Sequence, residues 1–157
     1  MTESSFKENL ERDLERYLKS YSQDPTSRVF APLAETYRKM GKHDEAIGVL
    51  EEGIKQHPNY ASGYITLGRC YSDRKDPEKA VRELENALKH APDNIMAYKL
   101  IAKELKAMGK ADALIDIYQR LLKISPLEEE AVAYLESKGV LKKPDPTKWL
   151  KWQLGCL

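Results

Sequence analysis

Between Ser27 and Pro126 the apolar positions form two helical stripes, and the pair repeats every 34 residues. Phe30, Leu33, Ala34 and Tyr37 have the three-and-four spacing of one helix face, and Ala46, Leu50 and Gly53 have it on a second. One period later the same slots hold Tyr64, Leu67, Gly68, Tyr71, Ala80, Leu84 and Ala87. A further period on they hold Tyr98, Ile101, Ala102, Leu105, Leu114, Tyr118 and Leu121. Small residues at facing slots, Ala34 with Ala46 and Gly68 with Ala80, predict a close crossing of the two helices in each unit. Gly41 and Gly109 mark the turn between the stripes, where a left-handed residue ends a helix at least cost; the middle unit has Lys75 there. Pro58, Pro92 and Pro126 cannot continue the preceding helix, and their fixed φ suits the start of the next segment. The pattern predicts three helix–turn–helix units over 27–60, 61–94 and 95–126, in an all-α chain.

The flanks continue the helical pattern. Ser5 followed by Glu8 reads as a capping box that opens a helix running to about Ser20, with Phe6, Leu10, Leu14, Tyr17, Leu18 and Tyr21 on one face. Residues 1–24 are therefore expected to cover the open side of the first unit, since terminal repeats need a shielding element. In the third unit Leu114 and Leu121 stand where smaller residues are usual. Its second helix is expected to lie farther from its neighbours, or to pack on something other than a standard unit. Ser125 and Pro126 read as a helix start, with Glu128, Glu129 and Glu130 in the first turn, where the helix dipole favours anions. This gives a closing helix over 127–139, ended by Gly139, with Leu127, Ala131, Tyr134 and Leu135 on its apolar face. Seven helices is the expected core count. Residues 140–157 form a tail with a helix-start signal at Asp145 and Pro146 and both tryptophans of the chain, Trp149 and Trp152. With Leu150, Leu154 and Leu157 these supply a docking strip, and three placements stay open. The strip folds back on the closing helix, inserts into another chain (a second copy included), or rests on a membrane surface beside Lys142, Lys143, Lys148 and Lys151.

The slots quoted above resemble those of the tetratricopeptide repeat family over residues 27–126. The resemblance implies a right-handed superhelical array of helix–turn–helix repeats, an α-solenoid, with N- and C-terminal capping helices. It also implies a non-enzymatic scaffold that binds protein segments on a concave face lined by the first helices. The residues at the family's lining slots are Arg28, Ala31, Glu35, Arg38 and Lys39 in the first unit and Ser62, Ile65, Arg69, Ser72 and Asp73 in the second. The third gives Met96, Lys99, Lys103, Lys106 and Ala107. Seven are basic and two acidic, a balance of +5 against +1 for the whole chain. The basic side chains, with Ile65, Met96 and Leu100, make a candidate groove for an acidic or extended peptide. Family members that grip a C-terminal carboxylate do so with Lys, Asn and Arg at slots that here hold Ala31, Glu35, Thr66, Met96 and Leu100. None matches, so that clamp is not expected.

Composition narrows the function classes. Charged residues are 32 % of the chain and nearly balanced, which gives no bulk drive toward nucleic acid. RNA binding of the pentatricopeptide kind is disfavoured by the 34-residue period. Cys70 and Cys156 form no disulfide framework and suit a reducing compartment. The polar start lacks a secretory core, and no apolar run is long enough to span a bilayer, so a cytoplasmic protein without integral membrane association is expected. His43, His57 and His90 do not form a metal site, no phosphate-binding loop or catalytic trio stands out, and no cofactor is expected. Two functional readings follow: recruitment of an acidic or extended segment, or self-assembly in which the tail of one copy fills the groove of the next.

Overall fold

The computed structural model describes residues 3–142, and among them are eight helices and no strand. They are α1 (Glu3–Gln23), α2 (Phe30–Lys39), α3 (His43–Gln56), α4 (Ala61–Asp73), α5 (Pro77–His90), α6 (Ile95–Ala107), α7 (Ala111–Ile124) and α8 (Glu129–Ser137). α2–α8 make up the seven expected for the core, and α1 is the N-terminal helix expected ahead of them. Two compact units divide between Ala111 and Asp112.

In the first unit α2 packs on α3, α4 on α5, and successive first helices lie side by side, α2 on α4 and α4 on α6. The small facing residues do what their size predicts. Ala34, Ala46 and Ala80 are fully buried, and a Cβ added at Gly68 would lie 2.7 Å from Leu84 Cγ and 3.2 Å from the Ala80 carbonyl oxygen. The turns are one motif used repeatedly. Lys42 N–H donates to the Tyr37 carbonyl, Asp76 N–H to Tyr71 and Lys110 N–H to Leu105, at 2.9, 3.0 and 3.0 Å. Each bond closes a helix through a left-handed residue: Gly41 (φ 75°), Lys75 (φ 61°) and Gly109 (φ 68°). Lys75 thus holds a backbone conformation that costs a residue with a side chain about 1–2 kcal/mol. The entries to α4 and α6 also match, for Tyr64 Oη donates to the Pro58 carbonyl at 2.9 Å and Tyr98 Oη to the Pro92 carbonyl at 3.0 Å.

Two expected boundaries move. α1 opens at Glu3 and runs to Gln23, so Ser5 sits inside the first turn instead of capping it. Ser4 Oγ, one residue earlier, donates to Glu8 Oε1 at 3.2 Å. Leu10 is buried, and Tyr21 packs on the core around Phe30, while Phe6 and Leu18 stay exposed. α8 begins at Glu129, not at Pro126. Residues 125–128 form a turn like those at 57–60 and 91–94, which places the first residues of α4, α6 and α8 34 apart. Leu127 falls in that turn with 89 % of its surface exposed, so it is not part of the α8 apolar face. Within the second unit Leu114, Ile117, Tyr118 and Leu121 of α7 and Ala131 and Leu135 of α8 are buried, and the Tyr118 and Tyr134 rings lie 5.3 Å apart.

Candidate peptide-binding face

The candidate lining residues sit on α2, α4 and α6, with Arg28 just ahead of α2. Period and helix pitch together place them on one face: the same slot recurs on each first helix, and those helices are neighbours. The face is not a uniform field of cations. Arg38 Nε and Nη2 each donate to Glu35 at 2.9 Å, and Arg38 Nη1 reaches Asp73 Oδ2 at 2.5 Å across the boundary between the first two repeats. Arg69 Nη1 lies 3.3 Å from Glu35 Oε1 in the opposite direction. Two acids and two arginines therefore neutralise one another in a half-buried network. Hydrogen bonds to Glu35 push the Arg38 guanidinium up from its ordinary value against the effect of burial, and Asp73 adds to the rise. Burial acts to raise the Glu35 carboxyl; hydrogen bonding and charge from Arg38, with Arg69 and Lys39, outweigh it and hold Glu35 below the usual range.

The remaining basic residues are arranged differently. Lys39 at the end of α2 is exposed, as are Lys99, Lys103 and Lys106 along α6. The Arg28 guanidinium lies 5.1 Å from the centre of the Tyr60 ring, a cation–π contact that orients it. Ile65 and Leu100 are half-buried, and Met96 is 58 % exposed. Three of the five slots at which a carboxylate clamp would sit are closed here: Ala31 and Thr66 are buried, and Glu35 is bound to Arg38.

One residue of this face was not reached from the sequence. Glu104 is only 7 % exposed, accepts a hydrogen bond from Ser72 Oγ at 2.6 Å, and lies 3.7 Å from Lys103 Nζ. Its slot holds Thr36 and Cys70 in the preceding repeats, both buried, so a carboxylate in the third is the signal that was available. Beside it a cavity of about 270 Å³ is lined by Ser72, Asp73, Lys75 and Pro77 together with Lys103 and Glu104. Cys70 is fully buried, and burial pushes its thiol up to about 12, which describes an inert packing residue. Among the described residues no group of three or more His, Cys, Asp and Glu is placed to hold a metal ion, and no helix is long and apolar enough to cross a membrane. The tail residues Trp149, Leu150, Trp152, Leu154 and Leu157 lie outside the described residues.

A sequence model of the tetratricopeptide repeat matches residues 33–104, the stretch that contains the paired helices, the repeated turns and most of this face. That match, with the fold, supports assigning this chain to the tetratricopeptide repeat family. The chain is 32 % identical over 77 residues to the uncharacterized protein y4yS of Sinorhizobium fredii, a match covering 49 % of this chain and 42 % of that protein. It spans less than half the length of the curated relatives it matches. Among solved structures, the crystal structure of MamA superposes with a TM-score of 0.72 at 23 % identity, covering 87 % of this chain and 82 % of MamA. The first tetratricopeptide domain of Spaghetti (RPAP3), bound to the HSP90 peptide SRMEEVD, superposes with a TM-score of 0.61 at 23 % identity. That match covers 72 % of this chain and 92 % of the domain. The tetratricopeptide solenoid is the fold of this chain.

Proposed function

We propose that the chain is a non-enzymatic recruitment module that binds an acidic or extended segment of another protein across α2, α4 and α6. The observation that carries this reading is the internal neutralisation of Glu35 and Asp73 by Arg38 and Arg69. Beyond that network the face carries the formal charges of Arg28, Lys39 and the α6 lysines. Counting Glu104 against the +5 of the lining slots still leaves +4, compared with +1 for the chain. Met96, with Ile65 and Leu100 beside it, gives an apolar strip among these cations, the combination that holds an extended segment by side-chain burial and steers it by charge. The Spaghetti domain supports the ligand class, because the peptide it binds carries three acidic residues. Its mode of grip is not transferred, since the clamp slots differ.

The test is direct. Lys99→Glu, Lys103→Glu and Lys106→Glu combined should weaken binding of a fluorescein-labelled, capped hexaglutamate peptide about tenfold or more. Helix content by circular dichroism should be unchanged, because these side chains are exposed. Binding by the parent should also weaken between about 0.05 and about 0.5 M salt, where exposed charges are screened within roughly 10 Å or less. Binding indifferent to both salt and the reversals would contradict an electrostatic groove.

A further inference from the structure

We infer that the cavity beside Glu104 is a subsite for one basic side chain, arginine above all, carried by the bound segment between acidic neighbours. This rests on the reading of α2, α4 and α6 as the recognition face, and it adds a specificity element to that face. Three observations converge on it. First, Glu104 occupies a slot that is buried in every repeat and uncharged in the first two, Thr36 and Cys70. A carboxylate placed there carries a desolvation cost that a packing role does not require.

Second, its partners within the described residues fall short of neutralising it. Ser72 supplies one hydroxyl donor, and Lys103 stands at 3.7 Å with a side chain 69 % exposed, so water screens that pair. A buried carboxylate has lone pairs for more donors than this, and a guanidinium offers two parallel N–H groups to it. Third, the space matches the ligand. At about 270 Å³ the cavity falls just below the roughly 300–1,000 Å³ of clefts that take whole small molecules, a size suited to one long side chain.

The rest of the lining sets the context of that side chain. Asp73 faces the same cavity but is already bonded to Arg38, so Glu104 is the carboxylate left to receive a cation. Lys75 and Lys103 belong to the lining as well, and both are exposed. They would repel a run of basic residues and attract carboxylates on either side of a single one. The segment recognised is therefore mixed in charge: one arginine inserted, acidic residues outside.

The probe is N-acetyl-arginine N-methylamide, titrated into the isotope-labelled full chain, with N-acetyl-norleucine N-methylamide as the uncharged control. Saturable amide shifts at Ser72, Lys75 and Lys103–Ala107 are expected with the arginine compound alone. Glu104→Gln keeps the shape and the Ser72 hydrogen bond but removes the charge, and should weaken that binding roughly fivefold or more. Ser72→Ala is a second variant that leaves the carboxylate in place, and it should still bind the arginine compound. Equal shifts with norleucine, no shifts at these residues, or undiminished arginine binding by folded Glu104→Gln would each overturn the subsite. Hexaglutamate binding is read separately. If it fails while the arginine compound binds, the acidic-segment reading falls and the subsite stands.

Discussion

Gly53→Ala is expected to destabilise the protein by roughly 1–3 kcal/mol, although alanine is ordinarily the better helix residue by about 1 kcal/mol. Gly53 lies in α3 beside the fully buried Phe30, and an added Cβ would lie within 2.6 Å of Phe30 Cγ and of both its Cδ atoms. Phe30 has little room to withdraw, since it is stacked with His57 at 5.8 Å and meets Tyr60 edge-on at 5.7 Å. Gly48, in the same helix, is exposed and has nothing within 4 Å of its added Cβ. Gly48→Ala should therefore raise stability by about 0.5–1 kcal/mol while Gly53→Ala lowers it. Opposite shifts in thermal midpoint on one helix are the expected result. Two increases would mean that Phe30 is not wedged against α3.

Gly68→Leu should have the larger structural consequence, because it strikes the middle repeat. Its Cβ would meet Leu84 Cγ at 2.7 Å and the Ala80 carbonyl oxygen at 3.2 Å, and the second of these is backbone that cannot rotate away. α4 and α5 must then separate, at a cost of about 1–3 kcal/mol or more. In a repeat array each unit is stabilised by its neighbours, so loosening α4 and α5 weakens the contacts of α4 with α2 and of α5 with α6 as well. Urea unfolding should shift to lower concentration and lose steepness as the ends uncouple. A Gly68→Leu protein that unfolds like the parent would show that the small-residue register is wrong.

The parts of the fold that were legible in the sequence are those fixed by short-range geometry and repeated. The 34-residue period placed Phe30, Leu67 and Ile101 in the core, and the glycine positions marked turns that close through the same hydrogen bond each time. Lys75 takes up the glycine conformation because the turn around it is imposed by the helices it joins. Pro126 resembles a first helical residue, but α8 starts three residues later at Glu129. In the two earlier repeats the equivalent prolines sit in a turn three residues before the helix, and carrying that offset forward gives Glu129.

The candidate face was legible in position but not in charge state. Helix spacing assigns Arg38, Arg69 and Lys103 to one surface, yet it does not reveal which cations are already held by anions in the neighbouring repeat. Glu35 and Arg69 occupy the same slot of successive units, and that coincidence of opposite charges was the available sign of a pair. Glu104 escaped the charge count because its slot lies outside the usual lining set, whereas its burial and its bond to Ser72 depend on how α4 and α6 meet.

The central claim is that recognition takes place on α2, α4 and α6. Amide shift mapping of the labelled full chain during titration with capped hexaglutamate tests it most directly. The account predicts that perturbations gather at Lys39, Ile65, Met96, Lys99 and Lys103, and spare the exposed residues Glu51, Glu52 and Lys89 of α3 and α5. Perturbations confined to α3 and α5, or none at all, would contradict it.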